Sequence, residues 1–401
     1  MKNSSIFSWI FMITSCALLA IGRVYDERLV IGDINIVLLF SITYFFSIIY
    51  VLFSIKRTVL SKSKVLLYLF YLLALLMTPI LWTIFDVTEY GFEKAINFWI
   101  IVIPISIVII EKYARKDVVN TFYILIVVSC FLALLSIVGL SVTERTDGRM
   151  ATLGGGPIVF ARWMGFGIIS LLFLPLEIKK IYKYFLVIIF FVLALSSGSR
   201  GPILALFITG LVYVFLNFNR VILKISLVII TLLSLFIFSD LDEKISKLGN
   251  SKRVFMNVAK NGFSKQSTST RSNLAIGSLL ILQNYPLGVG AGNFQIVSNR
   301  LRPTHMMPLE YPHNIILEVS SEYGLQTVIV LILLLIYIFH MSYNKMILFR
   351  RHKTSLYPLL FYLFIFLFLN SLVSGMLNDS RLLFIVISFI LINKPLIINN
   401  E

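Results

Sequence analysis

His313 stands directly after Pro312, where a long polar stretch gives way to apolar sequence. Histidine is the side chain best poised to exchange a proton near neutral pH. Four arginines lie in or beside polar segments that alternate with apolar ones. Arg200 belongs to Ser196-Ser197-Gly198-Ser199-Arg200-Gly201-Pro202, and Pro202 suits the first turn of a helix. A cation at an already positive helix N-terminus, with no carboxylate within several residues, calls for an anionic partner. Arg271 follows Ser267-Thr268-Ser269-Thr270, hydroxyls suited to capping a helix whose first turn holds this arginine. It reads either as a headgroup-facing cap residue or as a functional one. Arg149 and Arg162 bracket Gly154-Gly155-Gly156-Pro157, bare backbone beside a helix N-terminus where phosphate oxygens bind well. Arg162 lies within an apolar run, at an insertion cost of roughly 2–3 kcal/mol. It either faces a cavity or an anion, or snorkels to the surface.

Asn314, Glu318 and Glu322 recur at i,i+4 and share one helical face. Carboxylates within a span usually face the bundle interior. Upstream, Pro286-Leu287-Gly288-Val289-Gly290-Ala291-Gly292-Asn293 is a glycine-rich turn. It resembles a dinucleotide fingerprint only superficially, because no strand precedes it. His305 has a weaker claim, and His340 and His352 lie toward the opposite side. These residues offer proton transfer beside a cluster of anion-binding cations.

Elements must hold them, and composition says which kind. Hydrophobic residues make up 58% of the 401 and charged residues 13%, which no soluble domain of this size shows. The chain uses lipid as solvent, so its backbone closes its own hydrogen bonds as helices. A barrel would need alternation, and the apolar runs are solid blocks. About twelve apolar segments are long enough to cross, near 6–22, 34–55, 65–85, 95–111, 118–140, 157–176, 181–197, 202–218, 221–239, 315–340, 356–375 and 381–397. The expected fold is an all-α polytopic membrane protein: a nine-helix N-terminal bundle over 1–239, a large loop with short helices over 240–312, and about three C-terminal membrane helices over 313–401.

The net charge of +16 does not point to nucleic acid, because lysine and arginine concentrate in alternate short loops. Lys56, Arg57, Lys62 and Lys64 fall on one side with Lys112, Arg115, Lys116, Lys179, Lys180, Lys183, Arg350 and Arg351. Lys94, Arg200 and Arg381 belong to the sparser set. The positive-inside bias places both termini in the cytoplasm and the 240–312 loop outside. A signal peptide is the rival reading for residues 1–22. Cys16 and Cys130 lie within apolar runs as packing residues, and no metal-type Cys/His spacing occurs.

Ser199-Arg200-Gly201, Thr270-Arg271 and the helix after it, Pro286-Leu287-Gly288-Val289-Gly290, and Pro312-His313-Asn314 with Glu318 and Gly324 together resemble the O-antigen polymerase and ligase family of bacterial envelopes. The likeness covers roughly residues 145–340. Each motif is short, and the set gains specificity from its order around one large loop. The resemblance implies a GT-C-like glycosyltransferase of the bacterial inner membrane, working on the extracytoplasmic face with an undecaprenyl-diphosphate-linked oligosaccharide. It implies that Arg200 and Arg271 hold the diphosphate and that His313 is the base, with no cofactor or metal. Arg149 and Arg162 are weaker assignments to the same anion. Glu318 is expected to orient His313 or receive its proton, and Ser199, Asn314, Gly288 and Gly290 to support the site. The expected partners are the lipid-linked oligosaccharide, the growing polysaccharide chain, a chain-length regulator and a flippase.

Polymerase is the favoured activity, and transfer to lipid A core by a ligase is the alternative. A transporter is the reading from another class. It predicts inverted repeats and broken, charged helices at mid-membrane, whereas a transferase needs Arg200, Arg271 and His313 to converge.

Overall fold

The computed structural model describes residues 2–24, 29–31, 33–55, 61–139, 156–175, 178–217, 225, 265–302, 311–350, 352 and 354–396. Arg149, His305 and the expected span 221–239, apart from residue 225, lie outside them. The described helices are α1 (Lys2–Ile21), α2 (Ile36–Phe53), α3 (Lys62–Trp82), α4 (Glu89–Asn97), α5 (Ile103–Lys112), α6 (Arg115–Val138), α7 (Pro157–Phe173), α8 (Lys180–Ser196) and α9 (Arg200–Asn217). They continue with α10 (Lys265–Asn284), α11 (Phe294–Leu301), α12 (Ile315–Leu348), α13 (Tyr357–Ser374) and α14 (Arg381–Ile390). A small antiparallel hairpin joins β1 (Val30–Ile31) to β2 (Ile34–Asn35). Each expected apolar segment within the described residues coincides with a helix, though α14 stops well short of residue 397. Among them, α2, α3, α4 with α5, α6, α9, α12 and α13 are long and apolar enough to cross a membrane. The chain is an all-α polytopic membrane protein.

Apolar side chains cover the outside as well as the core. Ile181, Phe185, Ile188 and Val192 of α8 are exposed, as are Phe45, Phe46 and Phe53 of α2. Such faces require lipid rather than water. The centre is formed by α13, which packs against α7, α9, α12 and α14, and by α14, which is buried along its whole length. Phe384 of α14 stacks on Phe70 at 5.4 Å and meets Phe98 edge-on at 5.5 Å.

Helix irregularities have chemical causes. Between α4 and α5 the chain makes a π-turn at Phe98–Val102, just ahead of Pro104. Proline lacks an N–H, so the carbonyl four residues earlier loses its helical donor. That carbonyl belongs to Ile100, and Tyr44 donates its hydroxyl to it at 2.8 Å. In α12 the break is at Gly324, whose φ of 85° and ψ of 174° suit glycine alone. The glycine-rich turn fills it: Val289 N–H donates to Ser321 O at 3.0 Å, Gly290 N–H to Glu322 O at 2.9 Å, and Leu325 N–H to Pro286 O at 2.7 Å. Residues 318–324 ahead of the break are buried, whereas Leu325, Ile329, Ile332, Leu333, Ile336 and Phe339 beyond it are exposed.

At the basic end of the bundle, cations cap helix C-termini, where carbonyls lack donors and the dipole is negative. Lys183 donates to Leu172 O, Arg350 to Leu216 O, Lys345 to Ile390 O and Lys394 to Lys112 O. The opposite end gathers the starts of α4, α7, α9, α12 and α14.

Candidate active site

At that opposite end, the turn between α13 and α14 is the hub. Asn314 caps α12, its Oδ1 accepting from Ile316 N–H at 2.9 Å and Leu317 N–H at 3.2 Å. Its Nδ2 donates to Leu372 O at 2.9 Å, at the end of α13. The start of α9 abuts the same place, since a side chain at Gly201 would press on Val373 and Ser374. Arg200 is therefore the first residue of a helix docked beside the His313-Asn314 turn, as its sequence position requires. Ser199 is buried just before it and donates its N–H to Ser197 Oγ at 3.1 Å.

His313 has a φ of 56°, the left-handed region, and no other described residue except glycine has a positive φ. Histidine enters this region more readily than most residues, but at some cost in strain. Its ring lies 4.1 Å from that of Tyr311. Its Nδ1 is buried with no hydrogen-bond partner among the described residues. Burial, with Arg271's positive charge in range, pulls the imidazole down from 6.5 to about 4, and Asp379 pulls the other way. The ring is neutral at physiological pH and can accept a proton. Burial also pushes the Tyr311 phenol up, so it remains a donor.

Arg162 settles its two sequence readings. It is buried, and it points inward instead of snorkelling. One N–H donates to the backbone carbonyl of Asp379 at 2.5 Å. Its Nε and Nη2 are buried and have no partner among the described residues. Arg271 is exposed and falls in the second turn of α10, because that helix starts at Lys265. The Ser/Thr run is thus inside the helix, not its cap.

Glu318 has partners other than His313. Its Oε2 accepts Leu377 N–H at 2.8 Å, and its Oε1 pairs with Lys94. Lys94 also pairs with Glu322 at 2.5 Å. By sequence Lys94 falls in a loop, just before the apolar run that starts at residue 95. The helix begins earlier, at Glu89, with Thr88 Oγ1 accepting Gly91 N–H, so Lys94 is drawn into the bundle. Gly288 and Gly290 adopt φ of 95° and 84°, and a side chain at Gly288 would collide with the backbone of Glu322 and Gly324. They hold the α12 break and stand apart from His313 in role.

The sequence passed over Asp379. The signal was present in Asn378-Asp379-Ser380-Arg381, a polar run between two apolar segments. Arg381 counted there only as a loop charge. In the fold it is buried and caps α1, donating to Leu19 O, to Ala20 O at 3.1 Å and, across the turn, to Asn378 O at 3.3 Å. A small open pocket lined by Arg23, Tyr90, Glu93, Asn97 and Asn378 lies beside Asp379. Arg149 cannot be placed among the described residues.

No curated protein matches the chain. Residues 184–332 match the family described as O-Antigen ligase. The matched segment contains the Ser199-Arg200-Gly201 turn, α10 with Arg271, the glycine-rich turn, and His313 through the break at Gly324. Over these residues the chain is similar to the O-antigen ligase family.

Proposed function

We propose that this protein transfers sugar from an undecaprenyl-diphosphate-linked oligosaccharide, joining repeat units into a longer polysaccharide. The family acts in O-antigen assembly by glycosyltransferase-type chemistry, and the finer assignment rests on the site. The observation that carries it is His313: a neutral, strained imidazole with an unpartnered buried Nδ1, in the field of Arg271 and close to Asp379.

The acceptor hydroxyl oxygen attacks the anomeric carbon and forms the new glycosidic bond. The bond from that carbon to the diphosphate breaks, and the lipid diphosphate leaves with the electron pair. The hydroxyl proton passes to His313. Attack from the face opposite the leaving group inverts the anomeric centre. Arg200, Arg271, Arg162 and Arg149 neutralise the departing diphosphate by planar, charge-assisted hydrogen bonds, without a divalent ion. Arg162 contributes most directly, because its free N–H groups are already desolvated. The site faces the extracytoplasmic side.

Transfer to lipid A core is the second reading, and the match to a family described as O-Antigen ligase supports it. Both readings share the donor site and differ in acceptor. The test is the reconstituted full-length protein with defined lipid-linked repeat units, with and without a lipid A core acceptor. Elongated lipid-linked chains without the core support the polymerase. Product only when the core is added supports the ligase, and no sugar transfer under either condition sinks both.

A further inference from the structure

Lys94, Glu318 and Glu322 are 3%, 0% and 1% exposed, and together they tie α4 to α12. Ionisable groups so deeply buried persist only in partnership. We propose that they form a positioning clamp, which sets the 376–380 turn against His313 and Arg162, and that Glu318 itself takes no proton from substrate. This rests on the glycosyl-transfer reading above for its functional consequence.

The connections run in one line. Lys94 pairs with Glu318, and Glu318 accepts the N–H of Leu377. Leu377 opens the turn containing Asp379. Asp379 receives Arg162 on its carbonyl, and its charge acts on His313. The second carboxylate steadies the other side. Glu322 pairs with Lys94, and its backbone carbonyl accepts Gly290 N–H, linking the clamp to the glycine-rich turn. That turn is pressed onto α4, because a side chain at Gly91 would collide with Ala291 O and one at Gly292 with Gly91. Beyond Lys94, Asn97 Oδ1 accepts Val24 N–H at 2.9 Å and fixes α4 to the chain after α1. Lys94 therefore stands on a helix held on two sides. A general base must reach the proton it removes. Glu318 is fully buried, its Oε2 accepting Leu377 N–H and its Oε1 held by the ion pair with Lys94 without a hydrogen bond, so it serves the clamp.

The test uses the purified full-length protein in lipid, with Glu318→Gln, Glu318→Leu, Lys94→Met and His313→Asn. Two quantities are read: kcat and KM for transfer from a polyprenyl-diphosphate-linked oligosaccharide, and hydrogen–deuterium exchange of a peptide covering Leu377 to Ser380. Glu318→Leu is expected to lower kcat by about 10- to 100-fold, more than it raises KM, and to speed exchange in that peptide. Lys94→Met is expected to speed exchange in the same place. Glu318→Gln keeps an oxygen for Leu377, so it should stay protected and retain more activity than Glu318→Leu. The clamp is overturned if Glu318→Leu leaves exchange unchanged, or if Glu318→Gln stays protected yet is as inactive as His313→Asn. Failure of the wild type to transfer sugar would instead overturn the functional reading, and the exchange comparison would still judge the clamp.

Discussion

Arg162 holds the backbone carbonyl of Asp379 at 2.5 Å with one N–H, while its Nε and Nη2 point into the fold without a partner among the described residues. A buried guanidinium with donors to spare is costly unless something else accepts them. In the proposed function, with Arg162 next to the His313 turn, the acceptor is a phosphate oxygen of the donor.

Arg162→Lys tests this. The lysine keeps the charge and can still reach Asp379 O, but it lacks the planar fork. Donor KM is expected to rise by about tenfold or more, corresponding to the loss of one charge-assisted hydrogen bond of roughly 1.5–3 kcal/mol. Donor titrations in the reconstituted assay measure it. An unchanged KM removes Arg162 from the anion site.

His313→Asn separates backbone from chemistry. Asparagine tolerates the left-handed φ of 56°, so the turn and the Asn314 cap should persist. Thermal stability close to wild type and no detectable transfer are expected, as with His313→Ala. Full-length polymer from either variant in cells would exclude a role as base.

The acid side of the pH profile follows from the lowered value of about 4 at His313. The active form is the neutral ring, so kcat/KM should hold from pH 7 to below pH 6 and fall only as pH approaches 4. The same group links to stability. Its folded value lies below 6.5, so the unfolded chain takes up the proton first, and stability declines as pH drops from about 6.5 through 4. Arg271 lowers this value and Asp379 raises it. Arg271→Ala should therefore move the acid limb upward, and Asp379→Asn downward. Side-chain NMR of labelled histidine reads the shift directly.

Gly324→Ala should damage the protein through backbone geometry. The residue sits in a glycine-only conformation, and a Cβ would lie about 2.3 Å from Leu287 C and O. A cost of about 1–3 kcal/mol is expected from the dihedral strain alone, before any collision. Lower thermal stability in detergent is the readout, with Gly210→Ala as the control, since space around Gly210 is open.

The sequence made the helical plan legible because long apolar runs admit few alternatives in lipid. His313, Asn314 and Arg200 were equally visible, since each marks a helix start with its own local chemistry. Arg162 could be named but not oriented, because direction depends on which neighbour offers a carbonyl, here Asp379. Lys94 was misread as a loop charge: its burial depends on two carboxylates more than two hundred residues away, and hydropathy counts it only as an interruption. Asp379 was missed because its significance comes entirely from the turn packing of α13 and α14 against α7 and α12. The break at Gly324 needed the glycine-rich turn beside it, and local spacing carries no record of which segments meet.

That break has a mechanical consequence. The whole of α12 would be about 51 Å long, against a hydrocarbon layer of ~30 Å. The 24 residues after Gly324, Leu325–Leu348, measure about 36 Å and bear the exposed apolar face. They can tilt to suit bilayer thickness, while the short segment before Gly324 stays moored to Asn314, Leu377 and Lys94. The interruption insulates the His313 turn from membrane deformation, so on the proposed function turnover in vesicles of short- and long-chain lipids is expected to differ little.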